Sequence, residues 1–268
     1  MIPPVEDQQN ATRIPVGYVT TSRYCEAGCA FCRLASPPPT KIKPSEPAAA
    51  VVPAWAEARL VKVRGGLFTA KPFDFWVRWL RQLTPRLAPG TTLLAFSPVE
   101  LWHYHETEHR SLRDLARALV WAGVSALGPG GSETWDVARR AAWSTRRITV
   151  EQWWQVVESA AAVGLSYTVG PMILPRQSQS DADDYLRHLR PIPPLHLELK
   201  PLHSQGTRLQ SEGSPQIVEV AEWAARVRTS RPTWPIYVRW PSPHSDAAAI
   251  LGASGVSGIL IPQWEVEV

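Results

Sequence analysis

One helix and one strand can be read directly from residues 149–169, whose sequence is TVEQWWQVVESAAAVGLSYTV. Thr149 stands just before an acid and an amide, which is typical of a helix start because its hydroxyl can accept bonds from exposed backbone amides. Apolar side chains then recur at helical spacing until Gly164, a residue type that commonly ends helices. The stretch therefore predicts a helix over 150–163 that leads into a buried strand over 165–169.

The same alternation runs along most of the chain. Short apolar, β-branched runs predict eight strands, at residues 16–21, 59–64, 91–96, 124–127, 165–169, 195–200, 236–240 and 256–261. Segments of helical period predict seven helices between them, at residues 47–57, 73–84, 111–121, 150–163, 181–189, 215–229 and 245–251. Alternating strands and helices indicate an α/β fold with a parallel sheet, and eight strands with seven intervening helices predict a complete or nearly complete (β/α)8 barrel of the TIM type.

The chain is expected to form a single domain over residues 1–268, because such barrels commonly use about 250 residues. One segment interrupts the alternation. Residues 36–53 contain six prolines and cannot be regular helix throughout, so residues 33–53 are predicted to form a proline-rich surface excursion.

Composition narrows the classes of protein to which the chain can belong. Apolar residues make up 44% of the chain and charged residues 19%, so it is not disordered by composition. The net charge of +4 contains no run of five like charges, which suits small anions and gives little support for a nucleic-acid surface. No segment approaches the roughly 20 apolar residues of a membrane span, and no secretory signal peptide is expected, so a cytoplasmic location is predicted.

All three cysteines of the chain lie in one eight-residue stretch, at Cys25, Cys29 and Cys32. This spacing lets three thiolates surround one metal centre and leaves the fourth position of a tetrahedral site open. An iron–sulfur cluster held by three cysteines has one iron free for another ligand, whereas structural zinc normally takes four protein ligands. The clustering and the odd number do not fit scattered core cysteines or a disulfide framework.

A zinc site remains an alternative interpretation, because a distant histidine could complete it. His103, His105 and His109 form a local group from which such a ligand could come. His103 and His105 could equally serve as substrate ligands, as acid–base groups or as ordinary surface residues.

Polar and glycine-rich loops follow the predicted strands at the end where barrel enzymes place their active sites. A glycine pair follows the second strand, and glycines there let a polar ligand approach the backbone. The loops after the third and fourth strands each supply a serine and a carboxylate, which can bond ribose hydroxyls or an ammonium group, although the acids also suit helix starts. The candidate cofactor-binding residues in these loops are Gly65, Gly66, Ser97, Glu100, Ser132 and Glu133.

Several of these segments together resemble a known enzyme branch. Phe31 before the last cysteine completes the pattern C-x3-C-x-aromatic-C, and residues 147–153 read Arg-Ile-Thr-Val-Glu-Gln-Trp after a Pro-Gly-Gly loop with glutamate. With the glycine pair and residues 95–100 and 122–127, these segments resemble one branch of the radical S-adenosylmethionine superfamily. That branch contains aminofutalosine synthase, cyclic dehypoxanthine futalosine synthase and the hydroxyphenyl transferase subunit of deazaflavin (FO) synthase.

The resemblance implies that Cys25, Cys29 and Cys32 ligate a [4Fe-4S] cluster whose open iron binds S-adenosylmethionine. It also implies that Tyr24 and Phe31, beside the ligands, take part in cofactor binding. The reduced cluster would cleave S-adenosylmethionine to a 5′-deoxyadenosyl radical, with flavodoxin or ferredoxin as the reductant. With no further cysteine in the chain, an auxiliary cluster is not expected.

The expected reaction is carbon–carbon bond formation or rearrangement on a small aromatic, enolpyruvyl or nucleoside-like substrate, in menaquinone (futalosine) or deazaflavin biosynthesis. Two other classes stay open. One is an accessory protein that binds S-adenosylmethionine without turnover, and the other is a zinc-binding structural or nucleic-acid module.

Overall fold

The computed structural model describes residues 11–22, 25–34, 58–67, 71–144, 146–240 and 245–267. These residues contain nine strands: β1 (Thr12–Thr20), β2 (Leu60–Arg64), β3 (Thr92–Leu94), β4 (Ala126–Leu127), β5 (Ser166–Val169), β6 (Met172–Ile173), β7 (His196–Pro201), β8 (Ile236–Val238) and β9 (Gly258–Glu267). Eight of them, all except β6, close into a ring in which every neighbouring pair is parallel. The predicted TIM-type barrel is therefore confirmed.

Eight α-helices cover the described part of the ring: α1 (Phe73–Leu83), α2 (Pro98–Glu108), α3 (Leu112–Trp121), α4 (Val137–Trp143), α5 (Val150–Ala161), α6 (Gln179–Arg187), α7 (Ile217–Ser230) and α8 (Ser245–Ala253). Short 3-10 helices occupy Thr84–Arg86 and Gln210–Glu212. None of the helices in the described ranges has the length and apolar content that crossing a membrane requires.

Closure of the ring depends on β1, which pairs with a strand on each side. Val16 lies opposite Leu60 of β2, and Thr12 lies opposite Gly258 of β9. A side chain at position 258 would meet Ile14, since an added Cβ would lie 2.4 Å from its Cδ1 atom, so this crossing favours glycine. The first and last strands of the barrel are thereby joined.

The predicted elements differ from the observed ones in a few places. The predicted strand over 91–96 ends at Leu94, and helix α2 begins at Pro98, where no helix was predicted. Helix α4 and strand β6, which pairs with β7 at the carboxyl end of the sheet, were not predicted either. The predicted helix over 47–57 and most of the predicted excursion over 33–53 lie outside the described residues.

Two apolar layers hold the barrel together. The outer layer lies between the strands and the helices and includes a group of packed rings, in which Trp135 contacts Trp153 and Tyr185 with ring centroids 5.1 and 5.4 Å apart. The inner layer fills the ring itself with Val16, Tyr18, Leu60, Leu94, Ala126, Tyr237 and Leu260. The barrel interior is therefore a packed core with its working face at the carboxyl ends of the strands.

Candidate active site

The inner core is not wholly apolar, because charged side chains enter it from opposite strands. Lys62 on β2 and Glu198 on β7 form an ion pair in which both side chains are at most 10% exposed. Burial alone raises the pKa of the Glu198 carboxyl, but the positive charge of Lys62 and a contact with His196 outweigh it and lower this pKa. Burial lowers the pKa of His196, so its ring stays neutral.

Three aromatic side chains lie with this ion pair, and we call the five residues the interior polar layer: Tyr18, Lys62, His196, Glu198 and Tyr237. The hydroxyls of Tyr18 and Tyr237 and both ring nitrogens of His196 have no hydrogen-bond partner among the described residues. His196 Nε2 lies 3.8 Å from Glu198 Oε2, which is too long for a hydrogen bond. The layer thus forms a buried polar floor below the mouth.

Above this floor, two arginines among the described residues lie near the Tyr18 ring, and one of them is paired with a glutamate. Arg64 bonds Glu265 at 2.7 Å, and its guanidinium carbon lies 4.2 Å from the centre of the Tyr18 ring. The guanidinium of Arg239 approaches the same ring at 5.3 Å and forms no ion pair within the described part of the chain. The interior side of the mouth is therefore suited to a ligand with an anionic group.

The cysteine loop follows β1, as the sequence predicts, and three neighbouring segments hold it. The Leu67 amide, in the loop after β2, donates to Cys25 Sγ at 3.2 Å. The Ala30 amide donates to Trp143 O at 2.8 Å, at the end of α4. From the loop after β7, the Arg208 amide donates to Ala30 O at 3.0 Å. The loop is thus connected to the loops after β2 and β7 and to the end of α4.

The three thiols have the donor chemistry that a cluster needs. All three are free and half-buried, which makes them available to a metal centre. Burial, and next the negative charge of Glu133, raises the pKa of the Cys29 thiol to about 12. Burial raises the pKa of Cys32 as well. Since cysteine ligates metals as the thiolate, cluster loading must displace these protons.

The donors fit a cluster by type, but their positions are not yet those of a ligand set. Within the described ranges, no three His, Cys, Asp or Glu side chains are grouped so that they could hold a metal ion. A cluster bound to this loop would require its three cysteine side chains to converge. The described residues likewise contain no group of side chains arranged as ligands for the alternative zinc site.

The predicted glycine pair has two different environments. A side chain at Gly65 would collide with the end of β1, because an added Cβ would lie 2.4 Å from Thr21 Oγ1. Gly65 is thus needed for the close approach of β2 to the start of the cysteine loop. Gly66 is buried and lines a pocket between β2, the loop after β3 and the helices α1 and α2.

This pocket, which we call the aromatic pocket, brings two of the predicted cofactor-binding residues together. Gly66 and Glu100 both line it. Most of its remaining wall is aromatic or apolar, formed by Val63, Leu67, Trp76, Trp79, Leu80, Phe96 and Tyr104, with Thr21 and Arg64 at its polar side. It adjoins the cysteine loop, because Leu67 is the residue whose amide bonds Cys25.

Glu100 is the acidic group of the aromatic pocket. It lies in the first turn of α2, where its carboxylate accepts a bond from Ser97 Oγ at 2.7 Å while Ser97 caps the helix. Burial raises the pKa of Glu100 to about 7, although the bonds from Ser97 act in the opposite direction. Its negative charge raises the pKa of neighbouring Tyr104, after burial as the main cause.

The two predicted residues after β4, Ser132 and Glu133, already form hydrogen bonds and ion pairs inside the protein. Ser132 is fully buried, donates to Pro129 O at 2.7 Å and accepts from the Gly170 amide at 2.9 Å. Glu133 is 7% exposed and pairs with Arg147 and with Lys200 Nζ, the latter at 2.9 Å. Burial acts to raise the pKa of Glu133, but the charges of Lys200 and Arg147 lower it to about 2.

The other predicted residues are dispersed. The Phe31 ring packs against Trp143 at 5.2 Å, while Tyr24 lies outside the described residues. His103 and His105 belong to α2, and His105 Nδ1 lies 2.6 Å from Arg110 O. His109 ends that helix in a left-handed conformation with φ of 54°.

Sequence reasoning missed the cations that surround the cysteine loop and the mouth. Arg147 and Lys200 neutralise Glu133, and buried Arg140 donates to Gly131 O at 2.7 Å and Thr134 O at 2.8 Å. The sequence position of Lys200 partly indicated a role in the site, because this residue ends a predicted strand at the face that carries the active site in such barrels. Arg147 opens the segment 147–153 on which the resemblance rests, but its pairing with Glu133 was not predicted. For Arg140 no signal existed, since helix α4, in which it lies, was not predicted.

Comparison with curated proteins finds relatives of the kinds that the resemblance names. Cyclic dehypoxanthine futalosine synthase from Halalkalibacterium halodurans is 28% identical over 113 residues, covering 42% of this chain and 30% of the relative. Aminodeoxyfutalosine synthase from Streptomyces coelicolor is 28% identical over 153 residues, or 55% and 39% of the two chains. A 5-amino-6-(D-ribitylamino)uracil–L-tyrosine 4-hydroxyphenyl transferase from Methanopyrus kandleri is 23% identical over 137 residues, or 51% and 37%.

The match thus spans 30 to 39% of the length of these relatives, and no family model matches the chain. Solved structures extend the likeness to the fold. HydG, a maturase of the [FeFe]-hydrogenase, superposes with a TM-score of 0.69 at 13% identity, covering 92% of this chain and 56% of its own. Methylornithine synthase (PylB) gives 0.66 at 14% identity, with 96% and 75% covered. The resemblance to the branch and the barrel type are therefore both confirmed.

Proposed function

We propose that this chain is a radical S-adenosylmethionine enzyme that carries a [4Fe-4S] cluster on Cys25, Cys29 and Cys32. One observation carries the proposal: three free thiols lie on one loop at the carboxyl end of a closed parallel barrel. When bound, the reduced cluster would supply the electron that cleaves S-adenosylmethionine and begins radical chemistry. The sequence relationship to futalosine-type synthases supports the same assignment.

The protein's own part begins with the cysteine loop. The amide of Leu67 would stabilise negative charge on Cys25 Sγ, because it already donates to that sulfur. Backbone bonds at Ala30 and the Cys32 amide, which donates to Cys29 O at 3.0 Å, limit how far the loop can move as its side chains converge. The loop would therefore keep its connections while the thiols release their protons to solvent and bind the metal as thiolates.

The aromatic pocket would receive the methionine end of S-adenosylmethionine. Glu100 offers a carboxylate to an ammonium group, and Gly66 lets a ligand approach the backbone. Aromatic faces also attract cations, which suits an ammonium or a sulfonium. Ser132 and Glu133 would act indirectly here, since both are already bonded within the protein, with Glu133 keeping Arg147 and Lys200 in place.

The substrate would lie between the mouth and the interior polar layer, where strands on all sides exclude water. The cationic mouth at Arg64 and Arg239 favours a small molecule with an anionic group. We propose a small aromatic, enolpyruvyl or nucleoside-like substrate and a carbon–carbon bond-forming or rearranging reaction, in menaquinone (futalosine) or deazaflavin biosynthesis. Flavodoxin or ferredoxin would supply the electron.

Anaerobic reconstitution tests the proposed function directly. The protein is loaded with iron and sulfide, and iron, labile sulfide and bound zinc are measured. We expect about four irons and four sulfides per chain, and deoxyadenosine formation after dithionite reduction. Stoichiometric zinc without sulfide would instead identify a zinc module. A cluster that yields no deoxyadenosine would identify an accessory protein without turnover, and either result would overturn the proposal.

The role of Glu100 gives a second prediction. In the reconstituted protein, E100Q should raise the dissociation constant for S-adenosylmethionine about tenfold or more, because a hydrogen bond to a charged group contributes about 1.5–3 kcal/mol. Stability should change little, since glutamine can still accept the Ser97 bond and no ion pair is lost. Equilibrium binding and urea unfolding of both proteins measure the two quantities.

The pKa of Glu100, about 7, also sets the sign of a pH effect. Wild-type binding should tighten as the pH rises from about 6 towards 7.5, where the carboxylate ionises and the cofactor's amino group, with an ordinary pKa of about 8, keeps its proton. Tyr104 also lines the pocket, and it stays neutral in this range because burial raises its pKa further. Equal affinities and equal pH profiles for wild type and E100Q would exclude Glu100 from the cofactor site.

A further inference from the structure

Three exposed arginines surround the outer side of the cysteine loop, and we call them the basic rim: Arg33, Arg146 and Arg208. Arg33 follows the last cysteine directly, and its Nε donates to Gln205 O at 3.0 Å in the loop after β7. The guanidinium of Arg208 donates to Gly28 O, and its backbone amide donates to Ala30 O. Arg208 therefore bonds both neighbours of Cys29.

Arg146 completes the rim on the side of α4. Its backbone amide donates to Ser144 Oγ at 3.2 Å, and the Ser144 hydroxyl in turn donates to Ala27 O in the cysteine loop. The Arg146 side chain is 65% exposed and lies 3.7 Å from the Glu26 carboxylate. Arg33 thus belongs to the cysteine loop, Arg208 bonds the loop directly and Arg146 is linked to it through Ser144.

The charge of the rim is largely uncompensated. Several other surface arginines in the described ranges form salt bridges with a carboxylate, as Arg190 and Arg226 do. Arg33 and Arg208 instead bond backbone carbonyls and form no ion pair within those ranges, and Arg146 lies beside Glu26. Counting only these four described side chains, the positive charges of the rim exceed the negative charge by two.

We propose that the basic rim is the docking surface for an acidic electron-carrier protein of the flavodoxin type. This inference rests on the proposed function, since it assigns the surface through which an electron would reach the proposed cluster. Electron-transfer encounters bury little area and depend on charge steering more than on apolar contact. A carrier docked on Arg208 would lie next to Cys29, give up one electron per encounter and leave oxidised by one electron.

A protein carrier is favoured over nucleic acid by the size and position of the rim. Three arginines around one loop make a small patch, and the chain contains no run of five like charges that would follow a phosphate backbone. A small substrate would instead use the inner cations at the mouth, Arg64 and Arg239, which contact the Tyr18 ring.

The test measures binding of an acidic flavodoxin, used as the probe, to the full chain. The variant R33Q/R146Q/R208Q should raise the dissociation constant at least about tenfold at low salt and flatten its salt dependence. Two matched controls separate charge from structure. R33K/R146K/R208K keeps the charge and should bind within about threefold of wild type, and R78Q/R86Q/R113Q removes three exposed arginines elsewhere and should bind like wild type.

Equal affinity of the rim variant and wild type would overturn the proposal, as would loss of binding in the remote variant to the same degree. Tighter, rim-dependent binding of a single-stranded oligonucleotide would assign the surface to nucleic acid instead. These readouts do not require turnover. Flavodoxin binding without dithionite-driven deoxyadenosine formation would refute the proposed function and leave the docking surface intact, while the reverse pattern would refute only the docking surface.

Discussion

Replacing Cys29 with alanine is expected to abolish deoxyadenosine formation, and C25A and C32A should do the same. Each change leaves two thiols, and the chain has no other cysteine that could take the missing position. Cluster ligation needs thiolates, and the proposed cluster already depends on three rather than four of them. The loss should therefore be complete for each variant rather than graded among the three.

Three measurements on each cysteine variant make this prediction specific. Iron and labile sulfide should fall well below the wild-type content, and deoxyadenosine should not exceed the background of unreconstituted protein. Unfolding by urea should stay close to wild type for the metal-free proteins, because the thiols are half-buried on a loop outside both apolar layers. A variant that keeps full iron content and turnover would remove its cysteine from the ligand set.

The barrel could be predicted from the sequence because the signals that specify each strand and helix are local and recur along the chain. Each βα unit carries its own signals, such as Thr149 at the start of α5, whose side chain accepts from the Gln152 amide, and Gly164 before β5. Eight imperfect signals of one kind reinforce each other, so errors of a few residues at strand ends do not alter the architecture.

Helix α2 was missed by the prediction of helices from the sequence. Ser97, Pro98 and Glu100 are a helix-start signal, with a capping hydroxyl, a proline at the first position and an acid in the first turn. The sequence predicts a ligand-binding loop at these residues, with an acid that also suits a helix start, but it does not predict the helix itself. Both descriptions apply, because capping places Glu100 in the wall of the aromatic pocket. A start signal directly after a strand should therefore also be considered as a way of positioning a side chain.

The pairing of charges could not be predicted in the same way. Glu133 meets Arg147 and Lys200, which lie 14 and 67 positions further along the chain. Such partners are chosen by which strands and loops meet in the closed ring, and the periodicity of each element carries no information about them. The same holds for Lys62 and Glu198, which are 136 positions apart.

The buried pair of Lys62 and Glu198 gives the largest expected effect on stability. In K62M, the Glu198 carboxylate would remain inside the barrel without its cation, and breaking a buried pair from one side typically costs about 3–5 kcal/mol. For a chain of this size, such a loss corresponds to a fall of roughly 10 °C in Tm. Neutral His196 cannot replace the lost charge unless it takes up a proton.

The pH dependence identifies the cause of that loss. The lowered pKa of Glu198 in wild type means that the pair contributes stability above the unfolded value near 4.5, and that this contribution is lost as the pH falls below it. In K62M the shift of the Glu198 pKa should reverse direction, because burial without Lys62 raises that pKa. The stability deficit of K62M should therefore be largest near pH 7 and shrink towards pH 5, where the carboxyl can be protonated.

Two control variants complete the experiment. K62M/E198Q removes both charges and should recover much of the lost stability, since a buried pair replaced as a unit is often close to neutral. R117M removes one partner of an exposed pair, whose side chains are 62% and 59% exposed, and should change the unfolding free energy by less than about 1 kcal/mol. A deficit in K62M that is small and independent of pH would show that Lys62 and Glu198 are not a tightly coupled pair. The interior polar layer would then have to be held by other contacts, and its role as the floor of the substrate space would lose its structural basis.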